Sequence, residues 1–401
     1  MRIVLVAFGS LGDVQPFAAL GDGLRHAGHQ VRLCVRPEAA RWADLRGLEV
    51  FPVHVPPPPV ERRPAPWFVR LHRFARHEAG PQLEALRTAA RGADLLLSTG
   101  SQLVVSTVAQ ALGVRHRSVL LCPQMMPSRR HPPMAVPWAG APPWLHRAGR
   151  RFHIEVYNRA VRGPVAACRR EAGLGPLADE FAANFFTHPI VACDPELAPI
   201  PEGCELPADQ VGYLHTPALD GELPADLQRF LAAGPPPVYL GFGSTTPMPP
   251  TALTRLVVEA VAAAGCRAVV ARGWAGLGEG THGPAIHVTG PVPHGALFPR
   301  VAAVVHHGGA GTTATAARAG RPQVILPPSL YDQAYWRQQI VDRGLGLGGP
   351  PPRRLTAPAL ARLLARVLAD PEITRRAAAL GEVLRRRDAV RSAVELLSAG
   401  G

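Results

Sequence analysis

The stretch from Val301 to Asp332 restricts the folding of this chain more than any other: V-A-A-V-V-H-H-G-G-A-G-T-T-A-T-A-A-R-A-G-R-P-Q-V-I-L-P-P-S-L-Y-D. An apolar run ends in two histidines, and a Gly-Gly-Ala-Gly-Thr-Thr turn opens a helix of small residues. Gly320 closes that helix before a second apolar run, Val324 to Leu326. The pattern predicts a β-α-β unit with a glycine-rich turn at the helix start. Glycine there lets the backbone approach a ligand, and the unpaired N–H groups of a first helical turn favour a diphosphate. A tight turn also uses glycine for backbone reasons alone, so the turn by itself leaves both readings open. The adjacent histidines do not read as a metal pair, because neighbours diverge and no further ligand lies at a zinc-like spacing. What favours a ligand is the joint pattern of His pair, turn and Asp332-Gln333, one loop beyond the next strand. Ligands of parallel sheets sit at the strands' carboxyl ends.

His306-His307-Gly308-Gly309-Ala310-Gly311-Thr312-Thr313, followed by Ala319-Gly320-Arg321-Pro322-Gln323 and Tyr331-Asp332-Gln333, resembles the donor site of UDP-glycosyltransferase-like enzymes. The nearest likeness is to bacterial natural-product (antibiotic) glycosyltransferases, including glycopeptide enzymes, and to sterol glycosyltransferases. It is strong over Val301 to Trp336, clear over Met1 to Leu24, and loose between Pro56 and Ala208. It implies the GT-B arrangement, an α/β fold of two Rossmann-like domains whose parallel sheets face across a cleft.

Length agrees, since 401 residues exceed one ordinary core and predict two domains. An apolar fraction of 47% with 18% charged residues fits a soluble globular protein. The formal charge of +13 suggests nucleic acid until its source is seen: all 43 basic residues are arginine. Together with abundant Ala, Gly and Pro, that reads as coding bias, and no nucleic-acid motif accompanies it. Attraction to anionic donors, or loosely to an acidic membrane face, is what survives. Cysteines 34, 122, 168, 193, 204 and 266 show no C-x-x-C spacing and read as reduced thiols in a cytoplasmic protein. Neither a signal-peptide pattern nor a membrane-spanning apolar run is present. The oligomeric state stays open between monomer and weak dimer.

Taken in order, Arg2–Phe8 reads as a strand, Gly9 to Pro16 as a glycine turn, and Phe17–Ala27 as a helix. Strands follow at Val31–Val35 and Glu49–Val53, with a helix over Pro37–Arg46 between them. Trp67–Arg91 is an amphipathic helix interrupted at Pro81. Asp94–Ser98 is a strand, Gln102–Leu112 a helix, Val114–Leu121 a strand, and Pro123–Pro143 a proline-rich ordered loop. Ile190–Cys193 closes the first half. The expected division is an acceptor-binding domain over 1–215, a linker over 216–235, and a nucleotide-sugar-binding domain over 236–401 whose last helix is able to pack back on the first. The second half reads as strands from Pro237, Arg267 and Ile286, helices Thr251–Ala264 and Tyr335–Arg343, a helix Pro358–Ala369 capped by Thr356, and one helix Glu372–Leu397 capped by Asp370.

Moving a sugar from a nucleoside diphosphate to a hydroxyl needs groups that offset charge on the departing diphosphate, hold the sugar, and take the acceptor's proton. For the charge, the amides around Gly309, Ala310, Gly311 and Thr312 are candidates, with hydroxyls of Ser244 and Thr245. The resemblance adds His307, which matches the family's phosphate-contacting histidine. Asp332 and Gln333 match its donor-sugar pair, and a carboxylate with an amide suits vicinal hydroxyls. Trp274 and the Val292–His294 turn match its base-holding segments. For the proton, Asp13 is the candidate base, against a plain role as cap of the helix entering at Val14. Gly9, Ser10 and Gly12 surround it on the donor side. Related macrolide and plant enzymes carry His there, paired with an Asp from the fourth strand region. Here Gly12-Asp13-Val14-Gln15-Pro16 has Asp, as glycopeptide and sterol relatives do, and Ser98-Thr99-Gly100-Ser101 offers no partner carboxylate.

Trp67, Met125, Met126 and Trp138 are candidate walls of an apolar acceptor pocket, with core packing as the plain alternative. Many UDP-specific relatives place Glu where Thr315 stands, which leans the donor toward dTDP-sugar over UDP-sugar. No acidic cluster suggests a metal, and no cofactor is expected. The sequence therefore predicts an inverting, metal-independent glycosyltransferase acting on an apolar natural-product aglycone. A nucleotide-sugar epimerase of the same fold and a silent nucleotide-sugar-binding partner protein are the rivals.

Overall fold

The computed structural model describes residues 1–40, 47–55, 65–128, 142–215, 221–242, 248–273, 283–328 and 332–399. Its contacts divide the chain into two compact units. The first is Met1–Pro195 with Pro199–His215 and Asp388–Gly401, and the second is Glu196–Ala198 with Thr216–Arg387.

In the first unit, seven parallel strands, β1 (Arg2–Phe8), β2 (Gln30–Val35), β3 (Glu49–Pro52), β4 (Leu95–Gly100), β5 (Arg115–Leu120), β6 (Ile190–Val191) and β7 (Asp209–Gln210), lie in the order β3-β2-β1-β4-β5-β6-β7. Along β1, Ile3, Leu5 and Ala7 enter one apolar cluster while Val4, Val6 and Phe8 enter another. Both faces are covered, so the strand reads as an unbroken apolar run rather than an alternation. Helices here are α1 (Leu11–His26), α2 (Trp67–Ala89), α3 (Val105–Leu112), α4 (Pro143–Glu171) and α5 (Glu180–Phe185). Val14, Phe17, Leu20 and Leu24 of α1 are buried on the first face, each contributing about 1.5–3 kcal/mol.

The second unit repeats the design. Strands β8 (Val238–Gly241), β9 (Ala268–Ala271), β10 (Ile286–Thr289), β11 (Ala303–His306), β12 (Gln323–Ile325) and β13 (Gly346–Gly348) form a parallel sheet in the order β10-β9-β8-β11-β12-β13. Its helices are α6 (Ala225–Ala232), α7 (Pro250–Ala263), α8 (His294–Leu297), α9 (Ala310–Arg318), α10 (Asp332–Asp342), α11 (Ala357–Ala369) and α12 (Pro371–Arg385). Helix α13 (Ala389–Ala399) belongs to the first unit, where Ala389, Ala393 and Leu397 join the cluster under α1. A Cβ on Gly23 of α1 would lie 2.3 Å from Val390 Cγ1, so the two helices meet closely. Each half is thus a Rossmann-like parallel sheet, and the fold class is GT-B.

Several elements differ from the sequence reading. Helix α1 starts at Leu11, six residues early, because Ser10 and not Asp13 is the N-cap and the helix runs on through Pro16. Helix α2 passes through Pro81 unbroken, and α4, unassigned from sequence, passes through Pro164. Both prolines follow a glycine, Gly80 and Gly163, so no preceding Cβ meets the proline ring. Pro164 still has no N–H for the carbonyl of Ala160, four residues back. His72 of α2 supplies the donor instead, from Nδ1 at 2.8 Å. Helix α6 lies inside the predicted linker. The predicted helix Glu372–Leu397 is two helices, with Asp388 restarting the second by accepting the Arg391 N–H at 2.9 Å. Residues 41–46 of the helix expected over Pro37–Arg46 lie outside the described residues; Pro37–Ala39 is a 3-10 turn.

Helix α12 crosses the end of α9 at two glycines. A Cβ on Gly381 would sit 2.6 Å from Gly320 Cα and 2.8 Å from its N. Gly-to-Ala inside a helix ordinarily gains about 1 kcal/mol; here backbone meets backbone and overpacking wins. Gly381→Ala is expected to destabilise the protein by about 1–3 kcal/mol, read by urea or thermal unfolding.

Candidate active site

Both sheets reverse their strand order at the middle, between β1 and β4 in the first unit and between β8 and β11 in the second. The connections leave such a point in opposite directions, so a crevice opens at the strands' carboxyl ends. Asp13 follows the first of these points and His307 with its glycine turn follows the second.

In the first unit, Phe8 at the end of β1 pairs with Gly100 at the end of β4. The chain turns at Gly9 into a capping box: the Gly12 N–H donates to Ser10 Oγ at 3.2 Å, while Asp13 Oδ2 accepts the Ser10 N–H at 2.8 Å and the Ser10 hydroxyl at 3.2 Å. Capping therefore falls on one oxygen of Asp13. Two glycines make room for the carboxyl group. A Cβ on Gly9 would lie 2.1 Å from Asp13 Oδ2, and one on Gly100, whose φ is +75°, would lie 3.4 Å from Asp13 Cγ and 2.5 Å from the Phe8 carbonyl. Burial raises the Asp13 pKa above the ordinary carboxylate value, against the lowering effect of the two Ser10 bonds. Tyr213, itself buried and held near the buried Asp194 carboxylate, feels the charge of both Asp194 and Asp13.

In the second unit, His306 ends β11 opposite Gly241 of β8. Gly308 takes φ +91°, and a Cβ there would meet Ile325 Cγ2 at 2.8 Å and the Gln333 carbonyl at 2.9 Å. The turn thereby lies against the start of α10, with the Gln333 backbone beside it. Gly309 is the N-cap of α9 with no side-chain cap, and Thr313 N is bonded to its carbonyl at 2.9 Å. The amides of Ala310, Gly311 and Thr312 have no acceptor inside the helix. The His307 ring covers Gly309, since a Cβ there would be 2.7 Å from Nε2. Burial lowers the His307 pKa, and the Gly241 carbonyl opposes that. His307 Nδ1 is buried outside full hydrogen-bond geometry. The turn thus groups amides, a helix N-terminus and an imidazole of lowered pKa, a set of donors that suits an anion.

Comparison with known proteins agrees with this geometry. The chain matches the glycosyltransferase family 28 N-terminal domain over residues 3–88 and the erythromycin biosynthesis protein CIII-like C-terminal domain over residues 262–388. It is 37% identical to the vancomycin aglycone glucosyltransferase of Amycolatopsis orientalis, across 100% of this chain and 98% of that protein. The chain belongs to the antibiotic-type glycosyltransferases. Enzymes of this family transfer sugars from nucleotide donors. The same organism's dTDP-epi-vancosaminyltransferase is 31% identical over 94% of this chain and 92% of its own length. The structure of the glycosyltransferase VinC in complex with dTDP shares the fold, with a TM-score of 0.72 at 20% identity over 99% of both chains.

The other predicted residues of this glycosyltransferase are placed as follows. His294 turns its ring inward, with Nε2 3.0 Å from the Tyr239 hydroxyl and a stack on Phe298 at 4.5 Å. Trp67 stacks on His153 at 5.1 Å at the start of α2, Met125 is partly buried, and Met126 is fully buried. Ser244, Thr245, Trp274 and Trp138 lie outside the described residues. No group of three or more potential metal ligands occurs among the described residues, nor is any described helix long and apolar enough to cross a membrane. Sequence reasoning missed Gly100 as the floor of the Asp13 site, because the segment was searched for a carboxylate; a glycine ending a strand was the available signal. It also passed over His306 and Gln323.

Because Gly9 makes room for the Asp13 carboxyl group, Gly9→Ala is expected to push that group aside. If Asp13 is the base, the turnover number should fall about 100-fold, by more than nucleotide affinity does in titrations, and the disturbed cap should cost about 1 kcal/mol in unfolding assays.

Proposed function

We propose that this protein is an inverting, metal-independent glycosyltransferase that moves a sugar from dTDP-sugar or UDP-sugar to a hydroxyl of an apolar natural-product aglycone. The observation that carries the reading is the paired occupancy of the two switch points: a carboxyl group with raised pKa at one, and a glycine turn with free amides and a histidine at the other. Asp13 takes the proton from the acceptor hydroxyl as its oxygen bonds to the anomeric carbon. The bond from that carbon to the diphosphate oxygen breaks, and the electron pair leaves with the diphosphate. In-line displacement inverts the anomeric centre. Amides of Ala310, Gly311 and Thr312, with His307, meet the leaving-group charge. Asp332 and Gln333 hold sugar hydroxyls, and Trp67 and Met125 are offered as acceptor contacts. Thr315 in place of a ribose-holding Glu leans the donor toward dTDP. The relative named for a dTDP-sugar and the neighbour holding dTDP support the same lean.

Asp13→Asn should reduce transfer about 10²–10⁴-fold while dTDP or UDP still binds, with rates insensitive to a chelator. A base works only when deprotonated, so the wild-type rate should fall with decreasing pH through an apparent pKa above the usual carboxylate range. An acid limb unchanged in Asp13→Asn, or full activity in that variant, would remove Asp13 as the base.

His307 gives a prediction of opposite sense. Its pKa is lowered in the free protein, and a bound diphosphate raises it, so binding takes up a proton. Affinity should be full below the free-state pKa and decline as pH rises through the bound-state pKa. Calorimetry in buffers of different ionisation enthalpy should report net proton uptake, abolished in His307→Ala.

A further inference from the structure

The first histidine of the His306-His307 pair plays no part in the proposed chemistry, yet it is fully buried, as are Gln323 and Thr313. A buried imidazole without partners is costly, and His306 has partners on both nitrogens. The Gly308 N–H donates to His306 Nδ1 at 3.1 Å. An amide can only donate, so Nδ1 holds a lone pair and the ring proton is on Nε2. That proton is donated to Gln323 Oε1 at 2.9 Å. The Gln323 amide, oriented by this bond, donates from Nε2 to the Thr313 carbonyl at 3.2 Å. The Leu326 N–H donates to the His306 carbonyl at 2.9 Å. The chain of bonds runs from the end of β11 to the glycine turn, and through β12 to the first turns of α9.

We propose that His306 is a positioning residue for the nucleotide's diphosphate: its Nδ1 lone pair, aimed by Gln323, fixes the Gly308 turn that sets His307 and the open amides of α9. The arrangement rests on the reading of α9 as the diphosphate site. Gly308 takes a φ of +91°, and a Cβ there would collide with Ile325 and the Gln333 backbone, so the bond to His306 sits at a turn with no room for a side chain. Protonation would put a hydrogen on Nδ1 and break the bond. Burial first, then the neighbouring His307 and the ring of His294 (itself bonded to the Tyr239 hydroxyl), keep His306 neutral against the favourable Gln323 bond, with its pKa pushed down to about 3. The ring therefore works as a fixed acceptor throughout the range in which an ordinary histidine titrates.

The test compares wild type, His306→Asn, His306→Leu and His307→Ala, each first checked for cooperative unfolding and then titrated with dTDP and with UDP. Asn places Oδ1 near the position of Nδ1 and can accept the Gly308 N–H, whereas Leu removes the acceptor at similar bulk. Expected is an affinity within about threefold of wild type for Asn and a loss of about tenfold or more for Leu, by analogy with outer-shell partners of other sites. ¹⁵N NMR of the wild-type imidazoles should show one ring with bare Nδ1 and protonated Nε2 that does not titrate between about pH 5 and 9, and whose signal is lost in His306→Asn. If His307→Ala binds as well as wild type, the diphosphate reading itself fails. If His307→Ala weakens binding while folded His306→Leu does not, or His306→Asn is as weak as Leu, the positioning role alone fails. Should Leu not fold, an Nδ1-protonated or titrating ring in the wild-type spectrum still overturns the proposal.

Discussion

A parallel sheet cannot reverse its strand order without sending two neighbouring connections to opposite faces, and that constraint underlies everything else in this molecule. At β1/β4 and at β8/β11 the strand order reverses, the place where connections to opposite faces diverge. The same crevice is filled differently in each half. One receives a carboxyl group from the first turn of a helix, the other the bare first turn of a helix. Neither requires an unusual fold; each requires glycine where backbone and side chain would otherwise collide.

Burial then decides the charge state of what lies there. Carboxyl and imidazole groups are moved in opposite directions by the same desolvation, and both are moved toward neutrality: Asp13 upward, His306 and His307 downward. In the proposed reaction the second unit would meet an anion with backbone dipoles and a ring whose charge can change. In the proposed reaction, the raised pKa of the Asp13 carboxyl group would make it a stronger base toward an acceptor hydroxyl.

Much of this was legible in the chain. The unbroken apolar runs of β1 and β11, the caps Thr356 and Asp370, and the Gly-rich turn before α9 all follow from periodicity and punctuation, and a long motif identified the family. What was not legible has common physical causes. Gly12 and Pro16 disguised the start of α1, where Ser10 and Asp13 form a reciprocal cap that reads as a turn. The prolines of α2 and α4 looked like breaks because the glycine before each was not weighed. The divide between α12 and α13 carries no glycine or proline, only Arg385-Arg386-Arg387-Asp388, and the capping Asp was its sole signal. In the site, the supporting residues Gly100, His306 and Gln323 were hidden because their roles depend on contacts distant in sequence.

The bond from His72 to the Ala160 carbonyl shows how a defect in one helix becomes an address on another. By deleting a donor, Pro164 leaves the Ala160 oxygen of α4 without its helical partner, and His72 of α2 meets it. The sliding of two long helices past one another, which apolar side chains resist only weakly, is thereby given a fixed stop. Irregularity in the sequence has been spent on registration, and the two helices that carry Trp67 and His153 are held level by it.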